Sequence, residues 1–368
     1  MKVLILADPG STHTIKWIRS LSLKGIEIFL FGLTDNINEN YAGLKNFYIS
    51  SLKVDKEIFG LPETALSKLS YLKSLPKIKK IIKEFKPDIL HAHYASSYGM
   101  LAALTNFHPM IISVYGSDVF NFPRTNIFSS FVFKFNLSRT DRILSTSYIM
   151  AEEIKKYTSK IVGVIPFGIA LNTFKRLSDY NHPENSFVIG TVKALETIYG
   201  IEYLIRAFEI IKNRYSQIDV RLLIVGEGSL EGKLKELCKE LQIEKFVEFT
   251  GKVSFEKLAD YYNRVDVAVF LSRRESFGVA VLEASACEIP VVVSNVGGLP
   301  EIVENNITGF VVEKESPDAA ASAIEKLLLE PDLRKQMGIN GRKRVEKFYN
   351  WDDNVEQMVN IYSGLLNG

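Results

Sequence analysis

Val265-Asp-Val-Ala-Val-Phe-Leu271, running through Glu275-Ser276-Phe277-Gly278 to Glu283 and on to Pro290-Val-Val-Val-Ser-Asn-Val-Gly297-Gly298-Leu-Pro300-Glu301, is the stretch that decides the fold. Its first seven residues hold one alanine and one aspartate among apolar or β-branched side chains, which suits a strand buried on both faces. Such strands belong to parallel sheets, so the loop that follows opens at the carboxyl edge, where open α/β sheets bind ligands. A helix is predicted to start near Ser276, with its free N–H groups and positive dipole end turned toward a phosphate. Glu275 then sits in the loop and Glu283 about two turns into the helix, roughly 12 Å along it. That separation is comparable to a sugar diphosphate plus ribose. One carboxylate is placed to accept bonds from sugar hydroxyls and the other from ribose hydroxyls.

The Glu275-x7-Glu283 element, with Gly297-Gly-Leu-Pro-Glu301 and Asn306-Ile-Thr308-Gly309-Phe310, resembles the family 4 retaining glycosyltransferases, which have the two-domain GT-B fold. Further segments agree: Ile165-Pro166-Phe167-Gly168-Ile169 with Phe174, Val225-Gly226-Glu227-Gly228-Ser229-Leu230, and Thr250-Gly251-Lys252-Val253. The N-terminal half matches through Asp88-Ile-Leu-His91-Ala-His93-Tyr94 and Tyr115-Gly116-Ser117-Asp118. The resemblance covers nearly the whole chain.

Length and composition fit two domains: 368 residues exceed the usual single core, and 46% apolar content fills two. Strands alternating with helices give an α/β reading: strands near 3–7, 26–31, 88–92, 110–114 and 142–145, then near 187–192, 220–225, 246–249, 266–271, 290–293 and 309–312. The polar stretch from Arg176 to Ser186 reads as a linker. The expectation is two doubly wound, Rossmann-like domains facing across a cleft: residues 1–176 for the acceptor and 187–349 for the nucleotide-sugar donor. Residues 350–368 form a helix which, in the resembled fold, crosses back onto the first domain.

Cys238 and Cys287 are too few for a disulfide framework and fall in predicted helices, where a small buried thiol is the ordinary reading. With no signal-peptide core and no apolar run of membrane-span length, a cytoplasmic setting is expected. Net charge is +2, unevenly placed: residues 1–180 hold 23 Lys and Arg against 14 Asp and Glu, the rest 22 against 29. Leu66 to Lys86 carries Lys68, Lys73, Lys77, Lys79, Lys80, Lys83 and Lys86, and Phe122 to Phe135 adds aromatics near Arg124 and Lys134. These surfaces suit peripheral contact with the inner face of an anionic membrane, or are ordinary solvated helix faces. No nucleic-acid partner is expected.

Gly226-Glu-Gly228-Ser-Leu-Glu-Gly232 looks like a dinucleotide fingerprint, but its third glycine is one residue late, so it reads as a tight strand-to-helix turn. The first turn, Asp8-Pro9-Gly10-Ser11-Thr12-His13, lacks the fingerprint, which disfavours a dehydrogenase. A Walker-type phosphate loop is absent. His91 and His93 are read as pointing to opposite faces of a strand, which disfavours joint metal binding. No Asp-x-Asp occurs, so neither metal nor other cofactor is expected, and protein groups must balance the diphosphate.

The resemblance implies a retaining hexosyltransferase-type enzyme using a nucleotide-diphosphate sugar, with a glycan, lipid-linked or small-molecule acceptor. It assigns the base to Gly251 through Val253, the ribose to Glu283 and the sugar to Glu275; with no metal-holding pair, the cationic groups available for the diphosphate are Lys193, Arg273 and Arg274, beside the amides of Ser276, Phe277, Gly278 and Val279. Gly10, His13, His93, Tyr115, Gly116 and Asp118 fall on the acceptor side, with Asp118 counted with Glu275 and Lys193 as catalytic. Retention is implied by the resemblance alone, through front-face attack assisted by the leaving phosphate. Two departures stand out: Ala194 and Tyr199 where the family usually has arginine and lysine, and Tyr115 where many members have histidine. A nucleotide-sugar epimerase and a donor-binding chain without catalysis remain alternatives.

Overall fold

A computed structural model describes residues 1–35, 39–52, 66–177 and 186–367, with side chains from residue 70 onward in the third segment. The chain forms two compact units, Met1–Pro166 with Asp353–Gly368, and Phe167–Asp352. The division thus falls at Pro166, ahead of the Arg176 to Ser186 stretch. Residues 178–185 of that stretch lie outside the described residues, as does the Lys68 side chain.

The first unit is built on seven parallel strands: β1 (Lys2–Leu6), β2 (Glu27–Gly32), β3 (Phe47–Ser51), β4 (Ile89–His93), β5 (Met110–Val114), β6 (Arg142–Ser145) and β7 (Val162–Val164). Their order is β3-β2-β1-β4-β5-β6-β7. Every residue of β4 and β5 is buried, as continuous apolar runs in a doubly covered sheet require. The last helix, Trp351–Asn367, belongs to this unit from Asp353 on. It is tied down by Asn354, which donates to the Pro166 carbonyl at 2.6 Å, and by the fully buried Tyr362.

The second unit has six parallel strands: β8 (Ser186–Val192), β9 (Asp219–Val225), β10 (Val247–Gly251), β11 (Val267–Phe270), β12 (Val291–Ser294) and β13 (Gly309–Val312). They run in the order β10-β9-β8-β11-β12-β13. Both sheets are therefore α/β and doubly wound. Each has one place where the chain order reverses, between β1 and β4 and between β8 and β11. Loops leaving the carboxyl ends of those two strands diverge to opposite faces and open a crevice.

Candidate functional site

In the second unit the loops after β8 and β11 meet at the reversal point. The Lys193 Nζ lies 2.6 Å from the Glu275 Oε2, with each side chain only 14% exposed. The same ammonium stands 4.5 Å from the centre of the Tyr199 ring. Backbone contacts fix both partners. The Lys193 amide donates to Val225 O at 2.9 Å and the Leu195 amide to Glu227 O at 3.0 Å, laying the β8 loop on the β9 loop.

Glycines make that stacking possible. A Cβ on Gly226 would stand 2.0 Å from Lys193 O, and one on Gly228 2.5 Å from Leu195 O, whereas one on Gly232 would meet nothing. The run is therefore a close-packed turn in which the third glycine plays no comparable part. On the other side a Cβ on Gly297, whose φ is +52°, would stand 1.6 Å from Glu275 O, while the Gly298 amide donates to that same carbonyl at 3.2 Å. Gly297-Gly298 thus backs the loop that carries Glu275.

The helix after β11 begins later than predicted, at Val279, because Gly278 at its N-cap has φ +117°, and a Cβ there would stand 2.7 Å from Leu299. Glu283 is consequently about 6 Å along the helix, just past one turn. It is nearly buried and accepts a bond from the Tyr262 hydroxyl at 2.9 Å. Burial, and then the Glu283 charge, push the Tyr262 hydroxyl well above its ordinary pKa. The nearby Cys287 thiol is pushed up to about 12, chiefly by burial.

Phe277 is a core residue, edge-on to Phe167 at 5.7 Å. Arg273 bonds Glu202 at 2.7 Å, approaches Glu315 at 3.7 Å and covers the Tyr203 ring. Gly251, at the end of β10, accepts a bond from the Gly226 amide at 3.0 Å, and Lys252 pairs with Glu227 at 3.3 Å. The Gly251–Val253 turn and the Lys193 loop are therefore joined through Gly226.

In the first unit the residues expected on the acceptor side gather at the β1–β4 reversal. His13 stacks on Tyr115 with ring centres 6.1 Å apart, and His93 meets Tyr115 edge-on at 5.3 Å. His91 and His93 share one side of β4, their rings 5.0 Å apart. The expectation of opposite faces was a parity error: side chains alternate with period two, so residues i and i+2 face the same way. His91 is bracketed by the Tyr362 hydroxyl at 2.7 Å and the Ser113 hydroxyl at 2.8 Å. Burial lowers the pKa of His13 to about 4 and of His91 to about 3, so both rings are neutral near pH 7. The His93 pKa also falls well below its ordinary value through burial, and its Nδ1 is buried without a hydrogen-bond partner.

Asp118 is turned inward. It is 1% exposed and accepts from the amides of Ala95 (2.8 Å), Gly116 (2.9 Å) and Tyr115 (3.2 Å). Burial raises its pKa against the pull of those amides. Its work is to hold the loops after β4 and β5 together, which places Tyr115. Gly10 is exposed at the turn capped by Asp8, whose Oδ1 accepts the Gly10 amide at 3.2 Å.

Tyr262 and the Gly297-Gly298 backing were not singled out from sequence as partners of the two glutamates. Tyr262 carries no local signal. Among the described residues no group of three or more His, Cys, Asp or Glu is arranged to hold a metal ion, and no helix is long and apolar enough to cross a membrane.

Two doubly wound units, one with a lysine–glutamate pair at its reversal point, have the architecture of the GT-B glycosyltransferases. Residues 174–344 match the family model of glycosyl transferases group 1, and residues 2–147 that of glycosyl transferase 4-like proteins. The capsular polysaccharide biosynthesis glycosyltransferase CapM of Staphylococcus aureus is 30% identical over 322 residues, 81% of this chain and 82% of its own. The N-acetyl-alpha-D-glucosaminyl L-malate synthase of Bacillus anthracis is 27% identical over 95% of this chain and 92% of its own. The crystal structure of Anabaena HepE in complex with UDP and glucose shares the fold, with a TM-score of 0.77 at 17% identity over 99% of this chain and 100% of that one. The chain belongs to the group 1, family 4-like glycosyltransferases and is a glycosyltransferase of GT-B fold.

Proposed function

We propose that the protein transfers a sugar from a nucleotide-diphosphate sugar to a glycan, lipid-linked or small-molecule acceptor, with retention at the anomeric carbon and without a metal ion. The observation that carries this reading is the Lys193–Glu275 pair, a cation and a carboxylate 2.6 Å apart where the strand order of the second unit reverses. Lys193 meets the diphosphate, Glu275 accepts bonds from sugar hydroxyls, Glu283 from the ribose, and the turn at Gly251 through Val253 lies along the base. The bond from the anomeric carbon to the diphosphate oxygen breaks, the acceptor oxygen bonds to that carbon from the same face, and its proton passes to the departing phosphate. Lys193 stabilises the charge that builds on that phosphate. His13, His93 and Tyr115 line the acceptor side, with neutral imidazoles that accept or donate hydrogen bonds without carrying charge. The complex of HepE with UDP and glucose supports a uridine nucleotide as the first donor to try.

A panel of nucleotide sugars screened for thermal stabilisation tests the reading. A true donor at 100 times its dissociation constant adds about 2.7 kcal/mol to the folded state. Stabilisation by none of them, with no transfer, would overturn it.

A further inference from the structure

The helix Ile127–Ser138 has two unlike faces. Phe133, Asn136 and Leu137 are buried, and the Asn136 amide donates to the carbonyls of Ala95 and Ser96 at 2.8 and 3.3 Å, which fixes the roll of the helix. The opposite stripe carries Ile127, Phe128 and Phe131, exposed by 90, 68 and 66%. Lys134, also exposed, continues the stripe about one turn further on. Adjacent large apolar side chains left in water mark an interaction site, where scattered ones do not.

Charge and shape choose the occupant. From Val119 to Thr140 there is no Asp or Glu; Arg124 is taken up by Glu153 at 2.6 Å, which leaves Lys134 and Arg139 as the basic groups of the stretch. The partner is therefore anionic as well as apolar. The apolar side chains project from a convex helix, which suits insertion into a deformable headgroup layer better than a preformed protein groove. The more basic helix Leu75–Phe85 lacks such prongs, because its Ile78 and Ile81 are buried. Phe122 and Phe133 are buried too, so only part of the aromatic stretch noted in the sequence is available.

We propose that this helix seats the protein on an anionic lipid surface, with Ile127, Phe128 and Phe131 among the headgroups and Lys134 on lipid phosphates. The inference deepens the proposed function by favouring an acceptor met at a membrane. Its test reads partition rather than transfer, so the two fail separately.

Flotation of the full chain with vesicles of phosphatidylcholine, alone or mixed with phosphatidylglycerol, is the experiment. The protein is expected to float with the mixed vesicles at low salt and to stay dense with phosphatidylcholine alone. Phe128→Ser with Phe131→Ser is expected to lower the partition roughly tenfold or more, and Lys134→Glu to weaken it and flatten its salt dependence. Leu23→Ser, at an 85% exposed site elsewhere, is expected to change nothing. A wild type that stays dense with the mixed vesicles, or a double variant that floats as well as wild type, overturns the proposal. So does a dimer in sedimentation without vesicles that Phe128→Ser abolishes, because the face would then be covered by a second copy.

Discussion

Lys193→Ala is expected to act on stability and on catalysis, and the two effects can be measured apart. At 2.6 Å the gross attraction between the Lys193 and Glu275 side chains is about 6 kcal/mol at an effective dielectric of about 20. Desolvating two mostly buried ions offsets most of that, leaving a net coupling of about 1–3 kcal/mol. Lys193→Ala leaves a carboxylate without its cation in a loop that Gly297 holds rigid, and costs up to about 3 kcal/mol. Glu275→Gln costs less, because the ammonium keeps the Tyr199 face, worth about 0.5–1 kcal/mol or more. The double variant is therefore expected to be more stable than the sum of the singles implies. Urea unfolding of the wild type, the two single variants and the double variant, followed by circular dichroism, reads that coupling. Additive single effects, with coupling below about 0.3 kcal/mol, would refute the pair. In transfer assays Lys193→Ala is expected to lose at least tenfold, about 1.4 kcal/mol, and Lys193→Arg to recover part of it. Wild-type kinetics in the alanine variant would move the diphosphate to Arg274, to the amides, or to Arg273 after it leaves Glu202.

Glu275→Gln is expected to lower turnover strongly with nucleotide binding near normal, and Glu283→Ala to weaken the nucleotide itself; equal loss of nucleotide affinity in both would remove the assignment. Transfer is expected to persist in excess chelator, and complete loss restored by manganese or magnesium would contradict the metal-free reading. The buried, neutral His91 has a folded pKa of about 3 against about 6.5 unfolded, so the folded state binds fewer protons between those values. Its contribution is intact above about pH 6.5 and shrinks as pH falls, by about 2 kcal/mol at about pH 5. Thermal melts of His91→Asn should therefore fall less steeply on acidification than those of wild type, and parallel curves would count against this.

The eleven strands expected from apolar runs all form, most displaced by a residue or two at an end. The two that went unread, β3 and β7, are the outermost strands of the first sheet. Phe47-Tyr-Ile-Ser-Ser has no fully buried residue, and Val162-Gly-Val is three residues long. An edge strand covers one neighbour and faces solvent on the other side, so it carries little of the continuous hydrophobicity that marks an interior strand. The helix after β11 was misplaced for a related reason. Ser276 is a good capping residue, but the close approach of Leu299 to Gly278 sets the real start, and that contact is set by the tertiary fold.

The site was legible one residue at a time and not in its pairings. Lys193 and Glu275 each read as loop residues at strand ends, yet they stand 82 positions apart and meet only because β8 lies beside β11. Asp118 read as an acceptor-side acid through the resemblance that its Tyr-Gly-Ser-Asp stretch carries, and only the three amides around it reveal a carboxylate used for loop geometry. Tyr199 shows the converse. It stands where the family usually has lysine, which reads as a lost cation, but its ring faces the Lys193 ammonium. The substitution therefore trades a second charge for a surface that positions the first. Lys193 is held between a carboxylate and a π face, so a diphosphate arriving there must share the ammonium with Glu275, the residue proposed to accept from the sugar. On the proposed reading the ion pair joins phosphate and sugar recognition unequally: Glu275→Gln frees the ammonium for the diphosphate and leaves nucleotide binding near normal, whereas Lys193→Ala removes the diphosphate's cation and also unsettles the carboxylate that accepts from the sugar.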